Sequence, residues 1–256
     1  MTVHIKTAEE QDKMRAAGKL AAQTLEMIEP HVIVGVTTDE LNTLIHDFTI
    51  ERGAVPAPLD YHGFPKSVCI SVNNVVCHGI PGDYELQDGD ILNIDVTPKL
   101  DGWHGDTSKM FLVGNVHDKD RELCEIAHQA LWVGINAIEL GRGVKCIGDA
   151  IQLYMQDKPA IIVKEFCGHG LGLGFHEEPQ IIHYSSWRSG HIIKPGLVFT
   201  IEPIINAGKE HTVTCPFDEW TVRTLDGSKS AQWEHTILIT EDGFEILTLR
   251  EEEKND

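Results

Sequence analysis

The sequence predicts a mixed α/β (α+β) fold made of two related halves that meet near a pseudo-two-fold axis. Four observations carry this expectation. Helical periodicity followed by strand-like alternation occurs twice, in the same order. The segments "LQDGDILNIDV" (86–96) and "IKPGLVFTIEP" (193–203) each place a glycine six residues before an acid that closes an apolar alternation, Gly89 to Asp95 and Gly196 to Glu202. Each half also has a His-x-x-Pro upstream, His78 to Pro81 and His176 to Pro179. A second acid then opens a later strand, Asp106 before "TSKMFLV" and Glu234 before "HTILIT".

The elements follow in order. Thr7-Ala8-Glu9-Glu10 is a capping box ahead of a periodic stretch, Met14, Ala17, Leu20, Ala21, Leu25 and Ile28. Thr37-Thr38-Asp39-Glu40 is another, before Leu41, Leu44, Ile45 and Phe48, with Gly53 as a stop. Hairpin-like segments then run to about Gly114, including strands Ile91–Thr97 and Thr107–Val113 around a turn signalled by Pro98 and Asp101-Gly102. Folding that hairpin brings Asp95 and Asp106 to within a residue or two of directly opposite. Helices are expected over Leu123 to Leu140 and Ile147 to Met155, and glycine-punctuated strands from Gly168 onward. No linker composition separates the repeats. One unit spanning 1–256 is therefore expected, with halves of about 8–115 and 116–250 and a C-terminal tail at 251–256.

Composition narrows the function. A formal charge of −19 argues against nucleic acid or an anionic membrane as the main partner. No apolar run approaches the ~20 residues that cross a bilayer. The first residues lack the apolar core of a signal peptide, so a cytoplasmic location is expected. The six cysteines contain no C-x-x-C pair, which favours free, buried thiols over a disulfide frame or cysteine zinc site.

The acids carry the chemistry. Asp95, Asp106, Glu202 and Glu234 sit in or beside predicted strands, where acids are depleted. Asn93, Ser108, Thr200 and Thr236 lie at alternate positions, on the same faces. If the halves converge, the four carboxylates converge as well. One pair of charges 4 Å apart costs about 4 kcal/mol at an effective dielectric of 20. Six pairs at varied distances come to the order of ten kcal/mol, comparable with the ~5–15 kcal/mol stability of a whole domain. Protonation or cations must relieve this, and two divalent ions would balance four charges. His169 in "FCGHGLGLGFHEEP" is the best-placed imidazole to complete the set, and such oxygen-rich donors favour Mn, Fe or Co over structural Zn. The glycine run around it lacks the strand-then-helix context of a nucleotide loop. Asp88, Asp90 and Asp101 read as turn or cap residues. His62, His104, His183, His191, His211 and His235 read as surface or satisfied-core residues, His235 turned away from the acids by its place next to Glu234.

Taken together, "NID", "HGDTSKM", "CGHGLG", "TIEP" and "EHT" closely resemble the type I methionine aminopeptidases of the pita-bread fold, over about Thr7 to Arg250. "YHGFPKSVC" and "VCHGIP" carry the resemblance to the enzyme itself. It implies a central antiparallel sheet with flanking helices and a metal-dependent aminopeptidase that removes the first methionine from new polypeptides when the second residue is small. Asp95 would chelate one of two divalent ions (Co, Mn or Fe, with Zn also compatible), His169 and Glu202 would bind the other, and Asp106 and Glu234 would bridge. His78 and His176 would contact substrate, and Tyr61, Phe64, Cys69, Phe175 and Trp220 would line the methionine pocket. Metal-acidified water would attack the first carbonyl, with Glu202 relaying its proton, His176 stabilising the oxyanion, and the free α-amine restricting cleavage to chain ends. The implied partners are nascent chain N-termini near the ribosome, acted on by a monomer. Glu202 and Glu234 are only 32 positions apart, too close for the helical insertion of type II relatives, and the zinc-binding N-terminal extension is not expected. Pro58, where relatives often have cysteine, and Trp233, where tyrosine is commoner, depart from the pattern. Three readings stand beside this one: a proline-directed peptidase on the same fold, a non-catalytic module, and a metal-free glycosidase that would leave His169 without a role.

Overall fold

The expected capping boxes form as paired hydrogen bonds. In the computed structural model, which describes residues 3–254, Thr7 Oγ1 accepts from Glu10 N while Glu10 Oε2 accepts from Thr7 N at 2.8 Å. This starts α1 (Ala8–Ile28), whose six predicted apolar positions are all buried. Thr37 and Glu40 start α2 (Thr38–Glu51) in the same way, and Gly53, at φ 74°, ends the turn after it.

The first half continues with β1 (Val55–Pro56), β2 (Cys69–Val72), β3 (Val75–Cys77), β4 (Ile91–Val96), β5 (Pro98–Leu100), β6 (Trp103–His104) and β7 (Thr107–Leu112). β4 is the middle strand of an antiparallel β2-β4-β7 sheet, with Asp95 opposite Cys69 on one side and Ser108 on the other. The connection expected as a single turn is instead a small hairpin of β5 and β6 about Asp101 and Gly102, both at positive φ. Trp103 explains it: the hairpin carries this side chain into a cluster with Met14 and Ala17 of α1.

The second half opens with α3 (Asp118–Asn136) and α4 (Lys145–Met155). α3 starts five residues before the expected Leu123 because His117 caps a polar first turn in which Asp118 and Asp120 favour the dipole. It stops before Ile138 and Leu140, which extend the apolar pattern into a turn. β8 (Ile161–Ile162), β9 (Gly168–Gly170), β10 (Glu177–Ile181), β11 (Val198–Ile201), β12 (Ile204–Asn206), β13 (Thr212–Thr214), β14 (Val222–Thr224), β15 (Ser230–Gln232), β16 (His235–Thr240) and β17 (Gly243–Ile246) complete the chain. Their main sheet is antiparallel, in the order β10-β9-β11-β16-β17.

The halves use matching local structure. Gly89 and Gly196 both turn with φ above 80° just before β4 and β11, and each strand pairs with a later one that an acid precedes. α1 and α2 cover the first sheet through Leu25, Ile28, Leu41 and Ile45 against Ile70, Leu92 and Phe111. α3 and α4 cover the second through Ala127, Leu131, Ile147 and Ile151 against Phe199, Ile201 and Ile237. The sheets join where Glu234 N donates to Ser108 O at 3.2 Å and Thr236 Oγ1 donates to Asp106 O at 2.6 Å. Of the expected C-terminal tail, Glu251–Glu253 form a 3-10 turn with Glu253 buried, and residues 255–256 lie outside the described ones.

Gly105 lets α1 lie directly against the strand connection that presents Asp106. A Cβ there would stand 2.3 Å from the carbonyl carbon and oxygen of Ala17. Gly105→Ala is expected to cost about 1–3 kcal/mol by overpacking, read as a lowered midpoint in urea at unchanged slope. An unchanged midpoint would contradict this contact.

Candidate metal centre

Strand register decides which acids meet. Val96 opposite Thr107 sets Thr97 across from Asp106, so Asp95 and Asp106 lie two positions out of step. Ile201 opposite His235 sets Glu202 across from Glu234. His169 is the middle residue of β9, beside β11. Its Nε2 lies 3.6 Å from Asp106 Oδ2 and 3.7 Å from Glu202 Oε1. Asp106, His169 and Glu234 each present a ligand atom, all within 4.8 Å of one another. Asp95 and Glu202 line the same cavity.

Neighbouring hydrogen bonds aim these groups. Thr97 Oγ1 donates to Asp106 Oδ1 at 2.8 Å, and Thr200 Oγ1 to Glu202 Oε1 at 2.7 Å. Gln232 Nε2 donates to Glu202 Oε2 at 3.3 Å. His169 Nδ1 donates to Gly170 O at 3.0 Å, which leaves the Nε2 lone pair facing the carboxylates. His183, expected to be structural, is a satisfied core residue whose Nε2 accepts from Glu202 N at 3.1 Å. Burial pushes its pKa down to about 3, so it stays a neutral acceptor.

The electrostatics fit a cation. Burial, then repulsion from Asp106, holds the Asp95 carboxyl well above the usual range. Burial likewise raises Glu202 and Glu234, with Asp106 and the other acids adding to it. Asp106 rises to about 7 through burial, against the opposing hydrogen bond from Thr97. Burial lowers His169 to about 4. Four acids that resist ionising beside an imidazole held neutral form a donor set whose repulsion divalent charge would remove.

Above the acids lies a cavity of about 290 Å³. All five expected wall residues, Tyr61, Phe64, Cys69, Phe175 and Trp220, line it, as do His78 and His176. His78, at φ 54° just after β3, sits edge-on to Phe166 and Trp220 at 5.7 and 5.9 Å. His176 Nδ1 lies 2.8 Å from Tyr61 Oη, and its ring stacks on Phe175 at 4.4 Å. Burial, then the neighbouring His169, lowers the His176 pKa to about 3. Pro58 also forms part of the wall.

Sequence reasoning missed Thr97, Glu165, Phe166 and Cys167, all of which line the cavity. Thr97 had a signal: it lies two residues beyond Asp95, on the same strand face. Phe166 and Cys167 immediately precede "GHG", whereas Glu165 had none. His104 and His235 are satisfied core residues, bonded to Gly172 O and to Thr248 and Glu253. All six cysteines are free.

Residues 12–241 match the metallopeptidase family M24. The chain is 52% identical over 255 residues to a methionine aminopeptidase of Escherichia coli K12, covering 99% of this chain and 96% of that relative. The crystal structure of methionine aminopeptidase from Rickettsia prowazekii superposes with a TM-score of 0.95 at 50% identity, covering 97% of this chain and 100% of that one. The Thermotoga maritima structure gives 0.93 at 33% identity, covering 96% and 99%.

A pH dependence follows from the raised carboxyls. Folded, metal-free protein keeps a proton on Asp106 that the unfolded chain has released, so this contribution to stability is lost as pH rises from 3.8 to about 7. A bound cation displaces that proton and is opposed by it at low pH. The gap in Tm between manganese-loaded and chelator-treated protein is therefore expected to widen from pH 5.5 to 7.5. A gap that is constant or narrows across that window would contradict the assignment.

Proposed function

The chain belongs to the metallopeptidase family M24, and on that premise we propose that it is a metal-dependent aminopeptidase that removes the N-terminal methionine from new polypeptides. The observation that carries this reading is a single cavity with two unlike parts. Its floor is the carboxylate and imidazole set, and its wall is the apolar, sulfur-containing surface of Tyr61, Phe64, Cys69, Phe175 and Trp220. Such a wall suits a flexible, polarizable thioether.

We assign Asp95, Asp106, His169, Glu202 and Glu234 as the residues that would hold two divalent ions, with Asp106 and Glu234 the carboxylates that would serve both. Co, Mn or Fe suit the donors, and Zn is compatible. When bound, divalent metal supplies Lewis acidity that brings the pKa of water from 15.7 toward ~7. The rest falls to the chain's own residues. Glu202, oriented by Thr200 and Gln232, accepts the proton of the attacking water and relays it. His176, steadied by the Tyr61 hydroxyl, supports the oxyanion forming on the first carbonyl, and His78 contacts the scissile amide and assists amine departure. Recognition of the free α-amine limits cleavage to chain ends, and the wall around the cavity favours a small second residue.

The reading extends to one catalytic unit over 1–256 with halves of about 8–115 and 116–250, acting as a cytoplasmic monomer on nascent chains near the ribosome. No helix among the described residues is long and apolar enough to cross a membrane. The charge of −19 disfavours direct nucleic-acid binding.

Hydrolysis of Met-Ala-Ser with and without added Mn, Fe or Co is the test. Wild type is expected to be active only with metal, and Asp106→Asn to lose more than about 100-fold, beyond what removal of a ligand's supporting partner costs. Equal rates for the two proteins, or hydrolysis that resists chelator, would overturn the proposal. Replacing alanine by leucine at the second position is expected to slow cleavage strongly, and equal rates would remove the walled-site account of specificity.

A further inference from the structure

The glycine run after His169 wraps an ion pair between a buried lysine and a half-buried glutamate. Lys6, just ahead of α1, is 2% exposed, with Nζ 2.8 Å from Glu177 Oε2 and 3.3 Å from His4 O. The other Glu177 oxygen, Oε1, accepts from Gly174 N at 2.8 Å. A Cβ at Gly172 would lie 2.7 Å from Lys6 Cε, and one at Gly174 would lie 3.0 Å from Glu177 Cγ. Gly172 O in turn accepts from His104 N at 3.0 Å. Lys6 is held by its own backbone: its N donates to Gly196 O at 2.7 Å, and its O accepts from Gln11 Nε2 at 2.9 Å. Glu177 directly follows His176 and Phe175, the ring pair inside the cavity.

We propose that Lys6 is a positioning residue for His176: its ion pair with Glu177, sleeved by the glycine run, sets where Phe175 and His176 stand in the cavity. This rests on the function proposed above for the reaction that His176 serves. Glycine-rich backbone loses more conformational freedom on ordering than any other, so a loop of this composition does not by itself hold two rings in place. An ion pair to a buried lysine supplies the missing constraint, because a displaced loop leaves the Lys6 charge unpaired out of water. A group misplaced by 1 Å costs on the order of 100-fold in rate.

Lys6→Met, Lys6→Arg and Glu177→Gln test this, assayed for kcat and KM on Met-Ala-Ser and for manganese affinity by calorimetry. Lys6→Met and Glu177→Gln are expected to lower kcat about 10- to 100-fold, with KM and manganese affinity nearly unchanged, because oxyanion support acts only in the transition state. Lys6→Arg should restore most of the loss. In a His176→Ala background, Lys6→Met should lower kcat no further. Wild-type kcat in folded Lys6→Met, an equal fold-loss in the His176→Ala background, or a parallel fall in manganese affinity would each overturn the inference. If Lys6→Met does not fold, Glu177→Gln, which keeps an amide of the same size beside the lysine, carries the same measurements. The imidazole proton resonances of His176 give a readout independent of turnover, and they should shift in both variants. Unshifted resonances overturn the inference even if wild type cleaves no peptide, a result that would by itself overturn only the proposed function.

Discussion

Mutual repulsion among four buried carboxylates is the constraint that the rest of the molecule is arranged around. Asp95, Asp106, Glu202 and Glu234 all gather where two sheets join, and burial pushes each pKa above its ordinary range. No strand gains by carrying such a residue alone. The cluster exists because two antiparallel pairs, β4 with β7 and β11 with β16, bring their acid-bearing ends to one place.

Much of the surrounding structure keeps that place rigid. On the reverse face, Arg250 is fully buried and donates to Thr107 Oγ1 at 3.2 Å, while Thr107 Oγ1 donates to Glu234 O at 2.6 Å. His235, next to Glu234, is fixed by Thr248 and Glu253. On the near face Thr97, Thr200 and Gln232 hold individual carboxylate oxygens. Carboxylates that repel one another scatter unless their backbones are fixed from behind and their oxygens from the side. Preorganisation of this kind places donor atoms before a cation arrives.

The cavity wall depends on a different device. Its aromatic and histidine side chains ride on loops, where backbone freedom is greatest. Tyr61 and His176 hold each other through one hydrogen bond, and Phe175 stacks between His176 and His104. The Lys6 and Glu177 pair ties the second of these loops to the segment before α1, so residues far apart in sequence set the same wall.

Local chemistry was legible in the sequence. The capping boxes at Thr7 and Thr37, the strands around Asp95 and Asp106, and the repeated glycine-to-acid spacing all depend on residues within a few positions of one another. The choice of Asp95, Asp106, Glu202 and Glu234 as candidate ligands came from that repeat, because duplicated local patterns imply duplicated placement, and His169 was singled out by the glycines around it, which allow close backbone approach. What the sequence could not contain were contacts between distant segments. The β5–β6 hairpin forms because Trp103 finds Met14 and Ala17, and α3 begins at a histidine cap ahead of its apolar periodicity. Glu165 reaches the cavity and a glycine run encloses Lys6 only once the halves are packed together, and His183 supports Glu202 only once the second half has folded on itself. Side-chain type and spacing determined which groups were available to meet. Register and close packing, set by the whole chain, decided which of them did.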